Sequence, residues 1–174
     1  MDELLQQGTR RRIFEAVRAN PGISARELQR ALHLGWGQTA YHLDQLTRGG
    51  ALRRERAGGR DRYFPQEMTW EDRKILLFLR SPAERVLLVE MLASPGLTFA
   101  ELPSRVGLSR STVSFHLRHM IERGVVESYL EGESRRYRPT SPARVQGLLR
   151  SYRESFDDRL VDRFLEAFVG LLRE

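Results

Sequence analysis

Residues 20–43 read NPGISARELQRALHLGWGQTAYHL, and residues 94–117 read SPGLTFAELPSRVGLSRSTVSFHL. The two stretches lie 74 positions apart, and the match extends without a gap to residues 8–65 over 82–139. Fourteen of those 58 positions are identical, among them Pro21/Pro95, Gly22/Gly96, Glu27/Glu101, Leu28/Leu102, His42/His116, Leu43/Leu117, Gly58/Gly132, Arg62/Arg136 and Tyr63/Tyr137. Turns, caps and apolar positions are what specify a backbone. A repeat confined to them reads as two copies of one small domain.

Each copy has the same order of elements. A first helix places Ile13, Phe14 and Val17, or Leu87, Leu88 and Met91, on one face. It stops at Asn20-Pro21-Gly22 or Ser94-Pro95-Gly96. Ser24 with Glu27, and Thr98 with Glu101, form capping boxes that open a second helix. That helix buries Leu28 and Leu32, or Leu102 and Val106, and a short turn leads into a third helix. Gly49-Gly50 or Arg123-Gly124 closes the third helix, where glycine suits a left-handed cap. Ala51–Arg56 and Arg60–Phe64 then flank Ala57-Gly58-Gly59 as a hairpin, and Val125–Leu130 and Arg135–Arg138 repeat it. This is the winged helix-turn-helix order. The expected fold is mainly α with small β-hairpin wings: winged domains at 1–66 and 82–140, a linker helix at 67–81, and a C-terminal dimerisation helix at 141–174.

Leu108-Ser-Arg-Ser-Thr-Val-Ser-Phe-His-Leu-Arg resembles the recognition helix of ArsR/MarR-type regulators. Trp36-Gly-Gln-Thr-Ala-Tyr-His-Leu resembles the version frequent in archaeal winged-helix regulators. The resemblance covers residues 8–139. It implies an archaeal tandem winged helix-turn-helix transcriptional regulator whose partner is double-stranded DNA. Helices 36–48 and 110–123 would enter the major groove, and the wings would lie on the backbone or in the minor groove.

A 100° wheel separates the faces of the two third helices. In the second, Val113, Leu117 and Ile121 point inward, and Ser111, Phe115 and Arg118 lie opposite, flanked by Ser114 and His119. Arg110 stands at the helix start, where groove-entering helices meet base edges. Arginine bonds guanine, serine serves several bases, and phenylalanine packs on a thymine methyl. In the first, Thr39, Leu43 and Leu46 are inward and Gly37, Tyr41, Asp44 and Arg48 outward. Candidate base readers are therefore Arg110, Ser111, Ser114, Phe115 and Arg118, with Trp36, Gln38 and Tyr41 in the first copy. The second helix is the better reader.

The wings divide the other way. Residues 51–64 hold Arg53, Arg54, Arg56, Arg60 and Arg62 against Glu55 and Asp61, whereas Arg135, Arg136 and Arg138 are balanced by Glu127, Glu131 and Glu133. Residues 8–65 carry twelve arginines and five acids; residues 82–139 carry eight and seven. The wing arginines, with Arg48, are candidate phosphate contacts. The first copy would grip and the second would read.

The rest of the sequence excludes whole classes. The 174 residues contain no cysteine, which removes disulfides, thiolate metal sites and cysteine nucleophiles. His116-x-x-His119 has helical spacing, but no third ligand accompanies it, so no metal is expected and none is assigned as a cofactor. His42 and His116 share one repeat position, suited to helix packing or a phosphate contact. There is no glycine-rich phosphate loop, nucleophile elbow or Ser/His/Asp set, so no enzyme is expected. The longest apolar run, Ile75–Leu79, is far below the ~18 residues of a membrane span, and MDELLQQG has no export core. A cytoplasmic, nucleoid-associated protein is expected.

Ile75, Leu76, Phe78 and Leu79 of the linker should pack between the copies. After Ser141-Pro142, a stripe of Val145, Leu148, Leu149, Tyr152, Phe156, Leu160, Phe164, Phe168 and Leu171 runs along one long helix, or two broken near Asp157-Asp158. It would either fold back on its own chain or, as favoured here, form a homodimer. Two rivals to the regulator remain: an architectural chromatin protein of low sequence preference, and a winged-helix protein-interaction module.

Overall fold

The computed structural model describes residues 8–156 and 159–171, the side chains of 168–171 excepted. Residues 1–7, Asp157-Asp158, the Phe168 and Leu171 side chains of the stripe, and 172–174 therefore lie outside the described residues. The chain divides into two compact units between Arg73 and Lys74.

In the first unit, α1 (Gly8–Ala19) ends at a turn in which Gly22 takes a φ of 84°. The strand β1 (Ile23–Ser24) follows, then α2 (Ala25–Leu32) and α3 (Trp36–Arg48). Ser24 and Glu27 complete the expected capping box: the Glu27 N–H donates to Ser24 Oγ at 3.3 Å, and the Ser24 N–H donates to Glu27 Oε2 at 2.8 Å. The strands β2 (Leu52–Ala57) and β3 (Arg60–Pro65) form the hairpin. Gly58 and Gly59, with φ of 57° and 74°, supply the two left-handed residues that match its turn to strand twist. Ile23 pairs with Tyr63, so β1 joins the sheet in the order β1-β3-β2. A two-residue strand is too short to leave a period-2 pattern in the sequence. Ile13, Val17, Leu28, Leu43, Leu46 and Leu52 form the core, in which α3 packs on α1.

The helix α4 (Trp70–Leu79) spans the division between the units. The linker expectation therefore changes. Arg73 donates to the Met68 carbonyl and pairs with Glu55 on the first hairpin at 2.5 Å, while Ile75, Leu76, Phe78 and Leu79 belong to the second unit and are buried.

The second unit repeats the order with α5 (Pro82–Ala93), β4 (Leu97–Thr98), α6 (Leu102–Val106), α7 (Arg110–Glu122), β5 (Val126–Glu131) and β6 (Ser134–Pro139). Its sheet runs β4-β6-β5. The second capping box is only half formed. The Thr98 N–H and hydroxyl both donate to Glu101, but the Glu101 N–H goes to the Thr98 carbonyl. Glu101 is itself the N-cap, and Pro103 fits the first turn of the shortened helix. Those two Thr98 bonds, the backbone one first, lower the Glu101 pKa. Met120, and not Ile121, completes the inner face of α7 with Val113 and Leu117. Ile121 is 38% exposed, because successive inward positions drift around a 3.6-residue turn.

Two helices form the tail, α8 (Pro142–Ser151) and α9 (Arg159–Leu171), joined through a 3-10 turn at Arg153–Ser155. Both pack on α5. Val145, Leu148, Leu149, Phe156, Phe164 and Leu165 are buried. Arg80 donates to the Ser155 carbonyl at 2.9 Å and lies 4.8 Å from the Phe156 ring centre, a second anchor for the tail. The described part of the stripe thus packs on its own unit, so the buried apolar area of these residues is not available to a dimer through 141–174. The cause is visible in the repeat. Phe14, Glu15 and Arg18 of α1 correspond to Leu88, Val89 and Leu92 of α5, all three buried. A helix apolar on more than one face needs a second cover.

Truncation after Thr140 should therefore unfold the second unit. Each of the four most buried tail residues, Val145, Leu149, Val161 and Leu165, contributes ~1.5–3 kcal/mol of burial. Urea melts should show the first unit's transition alone, and the point change Leu149→Ala should lower the second by ~2–5 kcal/mol. A truncated chain with an unchanged second transition contradicts this packing.

Candidate nucleic-acid interface

On α3 the outward face carries Trp36, Gln38 and Tyr41, all exposed. The ring of Tyr41 meets His42 edge-on at 5.2 Å. His42 itself is buried, so of its two expected roles it takes helix packing, not a phosphate contact. Burial, and then the nearby Arg10 charge, lower its pKa and favour the neutral imidazole. Arg48 is exposed but pairs with Asp44 one turn back at 2.9 Å, which offsets the only acid on that face. Gly35 caps α3 without a side-chain bond, whereas Ser109 caps α7 by accepting the Thr112 N–H at 3.1 Å.

On α7, Arg110, Ser111, Phe115 and Arg118 are exposed and Ser114 is half-buried. Phe115 repeats the Tyr41 arrangement, edge-on to His116 at 5.2 Å. The Arg110 guanidinium stands 5.5 Å from the Phe99 ring centre, which steadies it at the helix start. The outer face is thus one aromatic ring between two arginines and two serines, a set able to bond and pack against base edges.

The first hairpin is more cationic than its composition suggests. Arg53, Arg54, Arg56 and Arg60 are exposed, and Arg54 and Arg56 share Asp61 at 3.8 and 3.6 Å. Glu55, the other hairpin acid, is withdrawn onto Arg73. Arg62 is a correction. Its guanidinium turns inward, donating to the Gly22 carbonyl and to Glu27, both at 3.0 Å. Arg136, its repeat partner, likewise donates to the Gly96 carbonyl and pairs with Glu131. Both arginines fasten the hairpin to the turn before the second helix. The pairing with β1 causes this: Arg60 shares the face of Arg62, but the two-residue β1 reaches only Tyr63 and Arg62, so Arg62 alone lies opposite Ser24 and its cap. In the second hairpin Arg138 pairs with Glu127 at 2.7 Å, Arg135 is exposed, and Leu130 is 70% exposed.

Between α2, α3 and the first hairpin lies an open groove of about 1040 Å³, lined by Arg26, Arg30, Trp36, Asp44, Arg54 and Arg60 among others. Arg26 and Arg30 were missed in the sequence. Their i,i+4 spacing on the polar face of a short helix was the available signal. Among the described residues no cluster of histidine and carboxylate groups could hold a metal, and no helix is long and apolar enough to cross a membrane.

Comparison with known proteins agrees with this geometry. A family model described as an N-terminal HTH domain matches residues 7–76, and one described as winged helix-turn-helix DNA-binding matches residues 72–127. The chain is 28% identical over 131 residues to the uncharacterized HTH-type transcriptional regulator MJ1398 of Methanocaldococcus jannaschii. The match covers 75% of this chain but 33% of that one, so the chain spans about a third of its relative's length. The DIP2311 protein of Corynebacterium diphtheriae is 19% identical over 79% of this chain and 27% of its own, with a TM-score of 0.31. ScpB of Mycobacterium tuberculosis is 17% identical over 76% and 90%, with a TM-score of 0.29. At those scores neither structure bears on the fold.

The two kinds of hairpin arginine should separate on substitution. Replacing Arg54, Arg56 and Arg60 with Ala should weaken every duplex about equally in fluorescence anisotropy and leave the urea midpoint in place. Arg62→Ala should instead cost ~1–3 kcal/mol of stability in urea melts, since it removes the guanidinium that bonds both the Gly22 carbonyl and Glu27 and so ties the hairpin to that turn. Equal effects of both changes on stability would contradict the division.

Proposed function

We infer that this chain, a tandem winged helix-turn-helix protein, is a double-stranded DNA-binding transcriptional regulator. The observation that carries the reading is the first hairpin, four exposed arginines against one carboxylate, beside the exposed face of a helix-turn-helix. Arginine grips phosphate with a planar fork, and such contacts supply position and affinity without sequence. Sequence would be read by α7, where Arg110, Ser111, Ser114, Phe115 and Arg118 offer donors and an apolar ring together. The first unit then supplies grip and the second discrimination, a division supported by the carboxylate partners of Arg136 and Arg138. A partner of this kind puts the protein in the cytoplasm, on the nucleoid.

The reading needs no homodimer, and the described residues of the tail stripe pack on their own chain. The exposed, nearly uncharged face of α3 favours one rival, an architectural protein of low sequence preference. That rival accounts for the first unit and leaves the varied face of α7 without a role. Regulation is also what the name of the archaeal relative says of that protein.

Neutralising about six phosphates should give log affinity a slope near −5 against log salt. Anisotropy titrations of a labelled duplex at several salt concentrations measure it. Absence of micromolar binding even at low salt would instead favour a protein-interaction module.

A further inference from the structure

We propose that Glu84 is a positioning residue for the reading helix α7. Through His116 and His119 it fixes the rotation at which Arg110, Ser111, Phe115 and Arg118 face DNA. The proposal rests on the DNA-reading role of α7 given above.

Glu84 is buried, 6% exposed, in the first turn of α5. A helix N-terminus favours an anion there. One of its oxygens, Oε1, lies 3.2 Å from His116 Nδ1 and 3.0 Å from His119 Nδ1. A carboxylate oxygen only accepts, so both imidazoles donate through Nδ1–H. The two histidines sit on adjacent turns of α7. A single bond would leave a pivot, but two bonds from adjacent turns to one oxygen oppose both rotation and sliding of the helix. The clasp also reaches the outer face, because the His116 ring supports Phe115 edge-on. On its other side His119 rests 5.0 Å from Phe78.

The first copy shows that a winged unit folds without this clasp. Its equivalent positions hold Arg10, His42 and Gln45. Nδ1 of His42 has no hydrogen-bond partner among the described residues. The carboxylate–imidazole clasp therefore stands in the copy whose helix carries the reading set, and not in the copy that carries the grip.

The test uses the full chain with the duplex it enriches most from a random pool, and with a scrambled version of that duplex. Glu84→Leu should weaken the enriched duplex ~10-fold, the scale of one lost base contact, and change the scrambled one less than about twofold. Hydrogen exchange of the α7 amides should quicken while α3 stays unchanged. Glu84→Gln keeps an acceptor for the imidazoles and should recover most of the preference. His119→Gln copies Gln45 of the first unit, keeps the fold, and should lose about threefold or more of the preference. An unchanged preference in His119→Gln, or equal loss on both duplexes, overturns the proposal. If the wild-type chain enriches no duplex, the regulator reading fails. Exchange in α7 then decides alone: quickened in Glu84→Leu, it upholds Glu84 as the residue that positions the helix; unchanged, it overturns it.

Discussion

Each unit depends on the seat of its third helix upon its first. Ile13 and Val17 of α1 share one core with Leu43 and Leu46 of α3, and α5 packs in the same way on α7, whose Val113, Leu117 and Met120 are buried. Helices of 12 and 13 residues are marginal alone, so this apolar contact is what makes them persist. It also decides what is left outside. Once one face is buried, Tyr41 or Phe115 faces water with the polar residues around it. The hairpin is then tied to the same frame by Arg62 or Arg136, which hold the turn before the second helix.

From this common frame the copies diverge by changing what lies behind and beside the seat. Behind it, α1 keeps Glu15 and Arg18 in water, while α5 presents Val89 and Leu92 to the tail helices. Beside it, the four exposed arginines of the first hairpin have one carboxylate, Asp61, among them, whereas Arg136 and Arg138 of the second each have their own. Within it, the buried charge next to the shared histidine changes sign, from Arg10 to Glu84. One backbone thus carries a cationic unit and a nearly neutral one.

Much of this was legible in the residues. Repetition across 74 positions placed the helices and hairpins, because turn glycines and capping residues act locally and leave local marks. What stayed hidden depends on tertiary direction. Nothing in the string Arg60-Asp61-Arg62 says that only Arg62 turns inward; strand register decides it. Met120 and Ile121 are neighbours of similar polarity, so the wheel alone could not rank them. The tail stripe shows apolar area but not its partner. Comparing Val89 and Leu92 with Glu15 and Arg18 would have located that partner, since the repeat exposes the extra apolar face on α5.

The central claim is that α7 reads sequence while the first hairpin supplies grip. The most direct measurement is to enrich duplexes from a random pool on the full chain over several rounds and sequence what is retained. A short motif should emerge from the wild-type chain and weaken when Arg110 and Arg118 are changed to Ala. Changing Arg54, Arg56 and Arg60 to Ala should lower retention and leave the motif intact. Retention of duplexes with no enriched sequence, or a motif that disappears only with the hairpin changes, would contradict it.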